Sequence, residues 1–306
     1  MKQFLKDVSP FNNRKCMSES LYIIKKILAF FLCYIGGSFV AEGIVILLHL
    51  AVGKNVFAGE MFDTQTITLI KYYGFIIMTG TALLYWKIVE KKTLAEMGIT
   101  KNVGSYFIGV IISIVLLTVS IVVGIAVDGF MYHGMYKNPD IPMLLLLTGG
   151  FMIQGATEEV LCRGIVLHAI KDKCSISAAI AVSTALFILP HLSSLLSGKL
   201  VYGVIGVINL IQISIIFSLL TIRFKSIWAA CGLHSFWNSI LYCVLGLNLS
   251  GNDKKVAAIF NIQSIGNNVW NGGQYGIESS IITTFVLAFA IVVFKCFHAH
   301  SKLKLK

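Results

Sequence analysis

The chain has 306 residues, 57% of them apolar and only 13% charged, with a mean hydropathy of +0.82 and a formal net charge of +11. A soluble domain carries roughly 45–50% apolar and about 25% charged residues, which excludes a water-soluble globule, a secreted disulfide scaffold and a disordered chain and leaves a polytopic membrane protein. No basic stripe with interleaved aromatics accompanies the positive charge, so no nucleic-acid partner is expected; the lipid bilayer is.

A bilayer core about 30 Å thick takes about 20 apolar residues per helix. In chain order, eight stretches qualify: residues 27–52, 72–89, 103–127, 143–170, 176–196, 202–220, 227–249 and 279–297. The polar start is too long, and the first apolar stretch too extended, for a cleavable signal, so the first helix is read as an anchor. Eighteen of the 25 Lys and Arg fall in one set of alternate connections, Lys2 to Lys26 and Lys87 to Lys101 among them. Six fall in the other set, including Lys54, Lys137, Lys254 and Lys255, and Arg163 lies inside a stretch. That bias places both termini in the cytoplasm. The Asn- and Gly-rich segment 250–278 is the one sizeable loop, expected outside, with Ile259, Phe260, Ile262, Ile265 and Trp270 lying at the interface. Cys16, Cys33, Cys162, Cys174, Cys231, Cys243 and Cys296 include no CxxC pair and none falls in an external loop, so neither disulfides nor a thiolate zinc site is expected. Nothing alternates as a membrane barrel strand does. The expectation is an all-α bundle of about eight transmembrane helices, a single domain over residues 1–306.

Ionisable groups inside a bilayer cost roughly 2.5–3.5 kcal/mol each on insertion scales and are usually functional. Only Glu42, Glu158 and Glu159 among the carboxylates, and Arg163 among the cations, lie well inside the apolar stretches. Glu159 and Arg163 are i and i+4, spaced to pair on one helix face. Glu158 points about 100° away, free to face a different cavity, where a carboxylate in a low-dielectric pocket suits a general base. The alternative is a single buried network holding helices together. Ser183, Phe187 and His191 follow at i, i+4 and i+8, with Pro190 able to kink the helix; an intramembrane histidine of this kind also serves as a packing residue. His234 and Asn238, again i and i+4, project together and offer one donor each to a developing oxyanion, or else an interhelical bond. Glu42 and His49, seven apart, share a face of the first helix. His168 is placed at the interface, and Asn209 and Gln212 in interhelical contacts. Straight-helix arithmetic does not bring Glu158, His191 and His234 to one depth, so kinks are required.

Together, Glu158-Glu159-x-x-x-Arg163-Gly164, Phe187-x-x-x-His191 and His234-x-x-x-Asn238 resemble the type II CAAX prenyl endopeptidase family, which includes the bacterial CPBP (CAAX protease and bacteriocin-processing) or Abi proteins. The motifs occupy residues 143–249, and the segment Gly272-Gly273-Gln274-Tyr275-Gly276-Ile277-Glu278 is also similar to bacterial members. One departure is Cys162, where the family usually has an aromatic residue. The resemblance implies an intramembrane endopeptidase in a bacterial cell membrane, acting on a peptide or protein substrate presented in or at that membrane. It implies that Glu158 with His191 activates a water, that His234 and Asn238 hold the oxyanion, and that Glu159 with Arg163 holds the site together. No cofactor is required on that reading. A zinc version would draw ligands from Glu158, Glu159, His191 and His234, although no HExxH pairing exists. The competing functions are a non-enzymatic bacteriocin-immunity or scaffold protein of the same fold, and a proton-coupled transporter, against which the lack of a repeat argues.

Overall fold

The computed structural model describes residues 2–12, 17–251 and 258–303, with side chains over 3–12, 17–251 and 258–296. Cys16, Arg14, Lys15, Lys254 and Lys255 lie outside the described residues. After a short helix α1 (Lys2–Val8) comes α2 (Glu19–Ala51), whose first turn is capped by the Ser18 hydroxyl accepting from the Leu21 N–H. Asp63 caps α3 (Thr64–Leu84), which continues as a π-helical turn, Tyr85–Val89; α4 spans Ser105–Ala126. Asp140 caps α5 (Ile141–Glu159), with Pro142 in the first turn where its missing N–H is harmless. This helix runs on through a π-helical segment, Val160–His168, into α6 (Ala169–Lys171). Ser175 caps α7 (Ile176–Ile188), which tightens into a 3₁₀ turn, Leu189–His191, before α8 (Leu192–Leu196). The remaining helices are α9 (Leu200–Phe224), α10 (Trp228–Ser239) with a π-helical end Ile240–Leu245, and α11 (Ile281–Leu303).

Each of the eight apolar stretches is therefore helical, and the all-helical membrane bundle is borne out. Among the described residues, five helical runs are long and apolar enough to cross a membrane: Glu19–Ala51, Thr64–Val89, Ser105–Ala126, Ile176–Leu196 and Leu200–Phe224; Ile281–Cys296 is a shorter apolar helix. The runs through α5 and α10 are the ones that carry the polar clusters. One element was not anticipated. Residues Phe130–Met135 (β1) and Phe260–Ser264 (β2) form a two-stranded antiparallel sheet, Phe130 opposite Ser264, with a bulge between Tyr132 and Met135. Phe260 and Ile262, expected to lie flat at an interface, pair with a segment 130 residues earlier, a contact that local patterning does not reveal.

Hydrogen bonds sort the connections into two ends. At one, Lys25 and Lys26 reach Glu90, the Tyr85 hydroxyl donates to the Pro10 carbonyl, Lys92 meets Asp172, and Ile227 N–H and the Trp228 indole donate to the Gly98 and Thr100 carbonyls. We call this the terminal end. At the other, β1 pairs with β2, Asn271 donates to the Gly129 carbonyl, and Ser194 donates to the Ser250 carbonyl. This is the sheet end.

Candidate active site

The clusters converge where α5, α7, α9 and α10 meet. Gly155 of α5 makes the approach possible: a Cβ there would lie 2.9 Å from the Ser235 backbone nitrogen of α10. One helical turn on, Glu159 and Arg163 form the i,i+4 ion pair, Nη1 to Oε1 3.1 Å, with both side chains fully buried. Arg163 is held through both terminal nitrogens and by two aromatic rings. Its Nη2 donates to the Ser214 carbonyl (3.0 Å) and hydroxyl (2.6 Å), and its guanidinium carbon lies 4.8 and 5.0 Å from the Phe187 and Phe217 ring centres. A planar, delocalised cation suits such a double aromatic contact better than an ammonium does. Ser214 donates in turn to Thr184 of α7, so one arginine ties three helices.

The chain switches from α-helix to π-helix at Val160, directly after the two glutamates. There the His168 ring Nδ1–H donates to the Arg163 carbonyl at 2.7 Å, five residues back. Such π turns re-phase the side chains beyond them and concentrate at functional sites. The 3₁₀ turn at Pro190 does the corresponding work for α7, leaving His191 Nδ1–H to donate to the Phe187 carbonyl (3.0 Å) and Nε2 uncommitted. These two breaks and the π end of α10 are the departures from straight helices that the depth arithmetic required.

His234 stands between the two glutamates. Its Nδ1–H donates to Glu159 (3.0 Å), its Nε2 lies 3.8 Å from Glu158 Oε2, and its ring stacks on Phe217 at 5.0 Å. Asn238 donates through Nδ2 to Gln154 Oε1 (3.3 Å), and Gln154 Nε2 donates to Glu158 Oε1 (3.0 Å). Glu158, His191, His234 and Asn238 line one cavity of about 270 Å³, together with Tyr34, Lys71, Gln154, Trp237 and Glu278. Glu159 and Arg163 lie behind it. Gln154 and Glu278 were passed over by sequence reasoning. For Gln154 the available signal was its i,i+4 spacing to Glu158; for Glu278 it was the similarity of the segment from Gly272 to Glu278 to bacterial family members, which marks the loop but assigns this carboxylate no partner. Glu278 accepts from the Ser250 N–H (2.6 Å) and hydroxyl (3.1 Å) and from the Trp237 indole (3.3 Å). Burial pushes its carboxyl above the ordinary carboxylate range, against the pull of the Ser250 N–H and of His191.

Other expected positions fall elsewhere. Glu42 is exposed and does not meet His49. His49 is buried, donating to the Val45 carbonyl and accepting from the Phe62 N–H, so it fastens the α2–α3 connection. His168, expected at the interface, is instead buried against the loop at Gly98, because its ring is needed to close the π segment. Asn209 bridges α9 to the Glu278 and Ser280 carbonyls and to Thr284. Cys33, Cys162, Cys231 and Cys243 are buried packing residues. At Cys162 the bond to the neighbouring helix comes through the backbone, its carbonyl accepting from Ser183.

The proposed zinc ligands do not fit a metal centre. Oε1 of Glu159 is engaged by Arg163 and His234, which also commits His234 Nδ1. Among the described residues, no three His, Cys, Asp or Glu side chains converge closely enough to hold an ion.

A helical membrane bundle with a buried arginine–glutamate clamp behind a carboxylate- and histidine-lined cavity defines the class: an integral membrane protein with ionisable side chains facing a cavity among its helices. The family described as type II CAAX prenyl endopeptidase Rce1-like matches residues 140–240. That segment is about a third of the chain, runs from the cap of α5 to the end of α10, and contains all six motif residues. No curated protein and no solved structure matches the chain.

Proposed function

We propose that the protein is an intramembrane endopeptidase that hydrolyses a peptide bond with a water activated by Glu158 and His191. The supporting observation is the split between the two glutamates. Glu159 lies behind the cavity with its Oε1 bonded to Arg163 and His234, whereas Glu158 faces the cavity it shares with His191. A water there gives a proton to the Glu158–His191 pair as its oxygen attacks the scissile carbonyl carbon. His234, protonated on both ring nitrogens so that Nδ1–H stays on Glu159 and Nε2–H is left to donate, joins the Asn238 amide in hydrogen bonding to the tetrahedral oxyanion. The abstracted proton then passes to the departing amine as the C–N bond breaks.

The decisive experiment is Glu158→Gln in purified, reconstituted protein. Peptide hydrolysis should fall about 10²–10⁴-fold, the range of general-base catalysis, with the fold retained. Full hydrolysis of a defined substrate by this variant overturns the proposal. Retention of the cellular phenotype by both Glu158→Gln and His191→Ala would instead establish the immunity or scaffold role. Stoichiometric zinc in active enzyme, with activity abolished by o-phenanthroline, would overturn the metal-free mechanism.

A further inference from the structure

A second cavity, of about 400 Å³, lies at the sheet end. Ser197, Asn248, Ser264, Asn267 and Gln274 line it, and among the described residues no charged side chain does. It shares Ser194 and Tyr275 with the site cavity, so the two are separated by a single layer of residues. That layer is fastened by hydrogen bonds between loops: Ser194 hydroxyl to the Ser250 carbonyl (2.8 Å), Gly251 N–H to the Tyr275 carbonyl (3.1 Å), and Ser250 to Glu278. Gly251 keeps it thin. Its φ is +78°, and a Cβ there would come 2.8 Å from the Ser194 hydroxyl and 3.3 Å from the Tyr275 ring.

We infer that the site is reached from the sheet end through this vestibule, and that the substrate is an unmodified peptide segment delivered from the aqueous side of that end. The inference rests on the endopeptidase reading for what the substrate undergoes, but the route stands on geometry alone. A peptide backbone withdrawn from water needs a hydrogen-bond partner for every N–H and C=O, and a lining of neutral amides and hydroxyls supplies donors and acceptors of both kinds. An isoprenoid or acyl chain in the same space would bury those groups unpaired. Among the described residues the terminal end offers no such passage to the site: Arg163, Phe187 and Phe217 fill the space behind Glu159, and all three are buried.

The route is tested by thiol accessibility in sealed proteoliposomes, in a background with Cys16, Cys174 and Cys296 replaced by serine. Leu249→Cys places a thiol in the site cavity and Lys101→Cys marks the terminal end; Phe75→Cys is the second cavity probe should Leu249→Cys not fold. A membrane-impermeant methanethiosulfonate reagent should modify the cavity thiol at least tenfold faster from the side opposite to that on which Lys101→Cys reacts. Filling the vestibule with Gln274→Trp should slow that reaction about tenfold. Reaction from the Lys101 side, or from neither side, overturns the inference. A mixture of unprenylated quenched-fluorescence peptides then tests the substrate class. Hydrolysis that falls at least tenfold when Gln274→Cys is modified supports it, and hydrolysis only of prenylated peptides overturns it. Absence of hydrolysis of either kind alongside the expected labelling would sink the endopeptidase reading and leave the route standing.

Discussion

Glu90, at the terminal end, and Glu159, in the middle of the bundle, are both buried carboxylates held by cations, and their surroundings differ in what is left over. Glu90 has both oxygens occupied, by Lys25 (3.3 Å), Lys26 (2.6 Å) and the Tyr85 hydroxyl (2.7 Å). The cluster is closed and joins α2 to the end of α3. Glu159 is held through one oxygen only, Oε1, which takes both Arg163 and His234, and through His234 it is coupled to Glu158, whose carboxylate faces a cavity. Burial of charge is common to both. What separates a brace from a site is a second ionisable group with unfilled hydrogen-bonding capacity, next to space for a water.

Breaking the clamps should have the largest effects and should distinguish the two regions. Arg163→Ala leaves Glu159 buried without its cation, which costs about 3–5 kcal/mol, so both the thermal midpoint and hydrolysis should collapse. Glu90→Gln removes the buried carboxylate that holds Lys26 and faces Lys25, at a similar cost, yet the folded fraction should keep its kcat because nothing near the cavity changes. Equal loss of kcat in the two variants, measured per folded molecule, would erase the distinction. Glu158→Gln is the converse: hydrolysis lost over the range given above, with stability changed by no more than about 1 kcal/mol, since a water-facing carboxylate contributes little.

The same contrast has a pH signature. Burial alone would raise the Glu90 carboxyl, but Lys26, the Tyr85 hydroxyl and Lys25 together hold it below the ordinary carboxylate range. Stability from this cluster is therefore complete above that range and is lost as pH falls through the depressed folded-state value. Acid unfolding followed by tryptophan fluorescence should show an acid limb that Glu90→Gln removes. A limb that survives the substitution would assign the acid sensitivity elsewhere.

Much of this was legible in the sequence, for a physical reason. In a chain with so few charges, each intramembrane ionisable residue stands out against an apolar background, and helical spacing assigns partners to neighbours. Glu159 with Arg163 is such a local inference, and the eight helical stretches follow from run length alone. What spacing could not show was non-local or irregular. The π segment after Glu159 and the 3₁₀ turn at Pro190 change the phase on which facing-side arithmetic depends. His234 meeting both glutamates is a contact across 75 residues. The β1–β2 pair and Glu278 belong to loops, where no periodicity announces a partner. His168 was misplaced because its position near a helix end suggested an interface, whereas a buried carbonyl required its N–H.

The smallest effect concerns Gln154, which joins the third motif to the first. It accepts from Asn238 and donates to Glu158, at 3.3 and 3.0 Å, so it orients the carboxylate and the amide with a single side chain. Gln154→Met keeps nearly the same volume while removing both bonds. At about 0.5–1.5 kcal/mol per neutral hydrogen bond, and somewhat more for one to a carboxylate, kcat should fall about tenfold. KM should move little, the expected outcome for a residue that acts by orienting Glu158 and Asn238. The thermal midpoint should barely change, since Glu158 Oε1 faces the cavity and water can replace the lost donor. A large stability loss with kcat intact would make Gln154 a brace of the Glu90 kind. A kcat loss with stability intact would show that the cavity-facing half of the network is held in register for chemistry and not for folding.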